Sequence, residues 1–234
     1  MTHAINSLAA VVFDFDGVIV DTEPLHFEAF RRIASPHGIE LAWEAYRQKY
    51  MGFDDRDAFR ALFRDAGRPL AEERLAGLID AKAAAFAKLA ESEGVEPYPG
   101  AARLIGELAG RVPLALCSGA LRSDVQPILA RAGLKACFAV MVTAEDVSVS
   151  KPDPESYREA LRRLAARFPD RTFPASRCVA IEDTPAGIAA ARGAGLKVLA
   201  VRTTHAHGPL AAADCVQESL QALRVEDLEA LARD

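Results

Sequence analysis

The chain has 234 residues, 50% hydrophobic and 26% charged, which suits one compact domain or a core domain carrying a smaller second one. A disordered or fibrous chain is excluded on that composition. A formal net charge of -5 argues against a general binder of nucleic acid or anionic membrane, whereas a small anionic substrate needs only a local cluster of cations and N–H groups.

Met1 to Ala10 carries no basic segment ahead of a long apolar run, so no signal peptide is expected. No apolar stretch approaches the length of a membrane span, and a cytoplasmic location is expected. Cys117, Cys137, Cys178 and Cys215 are widely spaced without a CxxC pair and read as buried free thiols. The apolar run Leu8 to Phe15 has the length and β-branched content of a buried parallel strand, and it stops at Asp14-Phe15-Asp16-Gly17.

From Thr22 to Gly94 the spacing is helical. Leu25, Ala29, Phe30 and Ile33 form one stripe, Phe59, Leu62, Phe63 and Ala66 a second, and Leu75, Leu78, Ile79, Ala83 and Phe86 a third. Turn signals at Ser35-Pro36-His37-Gly38 and Gly67-Arg68-Pro69 divide them. Trp43, Tyr46 and Tyr50 are expected on the buried side of a helix in this module. Gly94 to Gly100 reads as the return linker. Residues 1–21 and 97–234 would then form an α/β core, and 22–96 an inserted helical cap.

Further strand-like runs follow at Val112 to Cys117, Phe138 to Thr143, Cys178 to Ile181 and Lys197 to Val201. Helical patterns lie between them at 101–110, 121–132, 154–168 and 185–194. Strand and helix in alternation predict a doubly wound parallel sheet, which binds ligands beyond the carboxyl ends of its strands. The residues where these runs end are mostly polar: Asp14 and Asp16, Ser118 and Gly119, Glu182 and Asp183, with Lys151 in the loop after the third run.

Asp14, Glu182 and Asp183 cannot all be ionised close together without a cation, since each like-charge pair costs about 4 kcal/mol at 4 Å in an effective dielectric of 20. An all-oxygen ligand set without nearby His or Cys favours Mg²⁺ over zinc. Asp14 is then placed as a nucleophile toward phosphorus and Asp16 as acid–base, with its pKa expected to be raised by repulsion from Asp14. Ser118, the N–H groups near Gly119, and Lys151 would hold phosphoryl oxygens. Thr184 and Pro185 open a helix whose small residues, Gly187 among them, would let it approach the sheet and hold Asp183. His205 and His207 form an HxH pair in a polar loop without further ligands, and no metal is expected there.

With these four segments in order, the chain resembles the haloacid dehalogenase superfamily, in particular its phosphatases and β-phosphoglucomutase-like members with a helical cap. Asp14-Phe15-Asp16-Gly17-Val18-Ile19-Val20-Asp21-Thr22-Glu23 is similar to the first signature, Ser118 to the second, Lys151-Pro152 to the third and Glu182-Asp183 to the fourth. The resemblance implies Mg²⁺ on Asp14, the Asp16 carbonyl and Asp183, with Glu182 close by. In the cap it implies that His26 and the segment Gly52 to Arg56 face the substrate. Arg56 is the cap residue expected to meet a distal anionic or hydroxyl group, because its planar fork suits bidentate contacts.

The expected activity is Mg²⁺-dependent hydrolysis of a small phosphorylated metabolite, a sugar phosphate, through an aspartyl phosphate on Asp14. A phosphomutase is the alternative. A dehalogenase needs neither metal nor Asp16, and a non-catalytic protein on this fold would lack part of the acidic set. A monomer acting on a small molecule, without nucleic-acid or membrane partners, is expected.

Overall fold

The computed structural model describes residues 8–233. Its centre is a six-stranded sheet of β1 (Ala10–Phe13), β2 (Leu114–Cys117), β3 (Val140–Val142), β4 (Cys178–Glu182), β5 (Lys197–Val201) and β6 (Cys215–Gln217), in the order β3-β2-β1-β4-β5-β6. Every pairing is parallel, so each strand must be followed by a crossover, and the helices that make the crossovers cover both faces.

Period-two alternation sorts the strand residues between two cores. Val11, Phe13, Leu114, Leu116, Val179 and Ile181 face one side. There they meet α5 (Ala101–Leu108), α6 (Arg122–Arg131) and α10 (Val225–Leu231). Ala10, Val12, Ala115, Cys117, Cys178 and Ala180 face the other, against α7 (Glu155–Arg167), α8 (Pro185–Gly193) and the short α9 (His207–Leu210). Both faces of β1, β2 and β4 are therefore dry, which is why those strands read as continuous apolar runs.

Between β1 and α5 the chain forms α1 (Glu23–Ala34), α2 (Trp43–Lys49), α3 (Asp55–Asp65) and α4 (Glu72–Glu93). These helices build a core of their own from Phe30, Tyr46, Phe59, Leu62, Leu75 and Leu78. Leu25 and Ala29 of α1, with Phe86 and Leu89 of α4, belong instead to the core of the sheet layer. The two longest cap helices thus anchor the module to the sheet layer as well as filling it.

Three expectations are corrected. β6 and α10 lie beyond the last predicted strand; β6 is only three residues long and incompletely buried, too short to show a period. Cys137 and Cys215 are half-buried rather than buried, although all four cysteines are free thiols. Trp43 is 38% exposed and rests on Tyr46 with ring centroids 5.8 Å apart, while Tyr46 and Tyr50 are buried.

Candidate active site

The strand order turns back between β1 and β4, and a crevice opens there beyond the carboxyl ends of the strands. Pairing of Phe13 with Ile181 continues in the Asp14 N–H donating to the Ile181 carbonyl at 3.0 Å, which sets Asp14 beside Glu182 and Asp183. On the other side, the Ser118 N–H donates to the Val142 carbonyl at 3.0 Å, fixing the end of β2. Asp14, Asp16, Ser118, Gly119, Lys151 and Asp183 all line this cleft.

Lys151 ties the core residues together. Its Nζ lies 2.9 Å from Asp14 Oδ1 and 2.6 Å from Glu182 Oε1, and it donates to the Cys117 carbonyl at 3.2 Å. Tyr157 donates a further hydrogen bond to Glu182 Oε1 at 2.5 Å. Burial and the charge of Glu182 nevertheless push the Asp14 carboxyl up to about 8, against the lowering effect of Lys151. Burial, Asp14 and Glu182 likewise push Asp183 well above the usual carboxylate range.

Oxygens of Asp14, Glu182 and Asp183 fall within 4.8 Å of one another, and Asp183 Oδ1 is buried without a hydrogen-bond partner. Crowded, oxygen-only donors with one orphaned acceptor fit a hard divalent cation. Within the set, Glu182 Oε1 is already held by Lys151 and Tyr157. Its Oε2 receives the Asp183 N–H at 3.3 Å, so Glu182 positions its neighbours and the freer carboxylates are Asp14 and Asp183.

Two glycines make these positions possible. A Cβ on Gly17, whose φ is +74°, would stand 2.0 Å from Asp183 Oδ2. A Cβ on Gly187 would stand 1.9 Å from Glu182 Oε2. The small residues of α8 were expected to hold Asp183; Gly187 seats Glu182 instead, and Gly17 seats Asp183. Thr184 caps α8 as expected, its hydroxyl accepting from the Gly187 N–H at 3.1 Å.

Asp16 faces the cap. Thr22 donates to its Oδ1, and His26 Nε2 lies 3.7 Å from the same oxygen. Desolvation pushes the carboxyl up, but His26, Thr22 and Lys82 outweigh it and hold Asp16 below its ordinary value. The expected upward shift is thus reversed, because Asp16 sits beside Thr22, His26 and the charge of Lys82 rather than against Asp14.

His26 lines the cleft with its ring stacked on Phe86 at 4.3 Å and Nδ1 2.7 Å from Lys82 Nζ. Lys82 is fully buried in α4, 2.8 Å from Asp55 Oδ1 and 3.6 Å from Asp124 Oδ2 of α6. Asp55 belongs to the Gly52 to Arg56 segment expected to face substrate, whereas Lys82 is not among the residues the sequence singles out. A signal existed: Lys82 falls on the face of Leu75, Leu78, Ile79 and Phe86, a lysine within an apolar stripe.

Gly52 also lines the cleft, but Arg56 is not among the lining residues. Its guanidinium pairs with Asp54 at 2.7 Å and reaches the carbonyls of Ala144 at 3.3 Å and Val147 at 3.4 Å. Ser150 adds a hydrogen bond to Asp54 Oδ2 at 2.6 Å. The group expected to meet substrate therefore docks the cap loop onto the core.

Comparison with known proteins agrees with this geometry. The family model of haloacid dehalogenase-like hydrolases matches residues 8–195. The chain is 32% identical to validoxylamine A 7'-phosphate phosphatase of Streptomyces hygroscopicus subsp. limoneus, over 91% of this chain and 94% of that one. It is 31% identical to a phosphorylated carbohydrates phosphatase of Thermotoga maritima, over 81% of this chain and 83% of the relative. CbbY of Rhodobacter sphaeroides, crystallised as a variant with xylulose-(1,5)bisphosphate, superposes with a TM-score of 0.81 at 29% identity, covering 92% of this chain and 96% of that one. The chain belongs to the haloacid dehalogenase-like hydrolases, among their phosphatase members.

Proposed function

We propose that this protein is a Mg²⁺-dependent phosphatase of a small phosphorylated carbohydrate, working through an aspartyl phosphate on Asp14. The observation that carries the reading is the cluster of buried Asp14, Glu182 and Asp183 around the half-buried Lys151 at the crevice of the sheet, one cation against three carboxylates. The relatives named for phosphatase activity support the substrate class.

Asp14 and Asp183, with the Asp16 carbonyl, would hold the Mg²⁺, which supplies charge neutralisation between nucleophile and phosphoryl oxygens. Lys151 and Ser118 would hold the remaining phosphoryl oxygens, and Lys151 keeps Asp14 oriented. A carboxylate oxygen of Asp14 attacks phosphorus, the ester P–O bond breaks, and Asp16 gives its proton to the departing alkoxide. Water then attacks phosphorus, Asp16 takes its proton, and inorganic phosphate leaves as Asp14 is regenerated. His26, Thr22 and Lys82 hold Asp16 ionised in the free enzyme, so its acid step requires it to take up a proton as substrate binds.

Phosphate release from a panel of sugar phosphates, measured with EDTA and again after adding Mg²⁺, tests the reading. Mg²⁺-restored release is expected. Conversion of a hexose 1-phosphate into the 6-phosphate without free phosphate would instead make it a mutase, and EDTA-insensitive turnover would contradict the metal assignment.

A further inference from the structure

The ester's phosphoryl group belongs with Asp14, Ser118 and Lys151 on the core side, so the rest of the substrate must reach the cap residues across the same cleft. Beside His26, whose ring nitrogens face Lys82 and Asp16, those residues are acidic and aromatic: Glu23, Asp54, Asp55, Phe30, Tyr46 and Phe53 line the cleft there. Three cations near them are already engaged. Arg56 is turned onto Asp54, Lys82 lies behind Asp55, and Lys151 is held between Asp14 and Glu182.

The cap carboxylates differ in what they have left to offer. Both oxygens of Asp54 are taken, Oδ2 by Arg56 and Ser150 and Oδ1 by the Asp57 N–H. Glu23 accepts from the Tyr46 hydroxyl at 2.6 Å. Asp55 is 6% exposed; Lys82 holds its Oδ1 at 2.8 Å, and its Oδ2 is buried with no hydrogen-bond partner. A buried carboxylate oxygen left unmatched is costly, and a ligand that brings a donor to it gains what the protein alone does not supply.

We infer that Asp55 is the residue that selects the substrate's far end: its free oxygen accepts a hydrogen bond from a hydroxyl or ammonium group. The substrate is accordingly a monophosphate bearing a donor opposite its phosphate, and a second phosphate, facing cap carboxylates while Arg56, Lys82 and Lys151 are already engaged, is disfavoured. This inference rests on the phosphatase reading and narrows its substrate class.

The test uses the full chain with Mg²⁺ and a panel of neutral-sugar monophosphates, amino-sugar monophosphates and sugar bisphosphates, with p-nitrophenyl phosphate as the reference lacking a distal donor. The best substrate is expected to be a neutral or amino monophosphate, at least about 10-fold above the reference in kcat/KM, the size of one hydrogen bond to a charged group. A bisphosphate ranking first, or no sugar ester exceeding the reference, overturns the inference, and neither result needs a variant. In Asp55→Asn the amide oxygen turns to Lys82 and its NH₂ replaces the acceptor. The kcat/KM ratio of the best sugar ester to the reference should then fall about 10- to 100-fold, more for an amino sugar than for a hydroxyl donor. An unchanged ratio contradicts the role of Asp55. Absence of turnover with every ester, the reference included, defeats the phosphatase reading itself and this inference with it.

Discussion

Gly17 shows how closely single residues constrain this site. Adding one methyl group there sets Cβ 2.0 Å from Asp183 Oδ2 at a φ of +74°, and neither the backbone nor the buried carboxylate can yield without moving the other. Gly17→Ala is expected to cost about 1–3 kcal/mol of stability, the usual range for overpacking, and to weaken Mg²⁺ binding by displacing Asp183. Thermal melting and a Mg²⁺ titration of activity check both; an unaltered Mg²⁺ requirement would remove Asp183 from the ligand set. Arg56 calls for the opposite expectation from its sequence reading. Because it pins the cap loop to Val147 and Ala144, Arg56→Ala should raise KM for every ester in parallel rather than for those with a distal anion. A loss confined to anionic esters would return Arg56 to the substrate.

At the scale of elements, Lys82 joins three helices: Asp55 opens α3, Asp124 lies in α6, and His26 lies in α1. Removing the cation leaves two buried carboxylates facing one another. Lys82→Met is expected to destabilise the protein by about 3–5 kcal/mol, the range for breaking a buried ion pair. Adding Asp124→Asn should recover part of that loss, and urea denaturation of the single and double variants measures it. Additive losses would show that the two groups do not interact. Elements set by apolar patterning were legible beforehand: β5 runs from Lys197 to Val201 as read from the sequence, and the strand-end polar residues converge on one cleft. The direction of the Arg56 side chain was not legible, because Asp54 and the carbonyls of Ala144 and Val147, which claim it, are brought to it only by three-dimensional packing. Nor was the pKa direction of Asp16, which depends on His26 and Lys82 arriving from separate cap helices.

For the whole molecule, the crowded carboxylates couple stability to pH and metal. The folded value of Asp14, about 8, lies above its ordinary 3.8, so the unfolded chain ionises this group first. Stability from this residue is therefore full at low pH and is lost as pH rises through about 8. In EDTA at neutral pH, Asp14→Asn should melt above the wild type, and Mg²⁺ should raise the wild-type midpoint more than that of the variant. Equal midpoints in EDTA with equal Mg²⁺ shifts would contradict the repulsion described here. In the proposed cycle Asp14 carries the phosphoryl group. Rapid quenching of the enzyme during turnover of its best ester, followed by peptide mass spectrometry, should find the phosphate on Asp14 and none in Asp14→Asn, whose phosphate release should be abolished. Phosphate on another residue, or sustained release by the Asn variant, would contradict it.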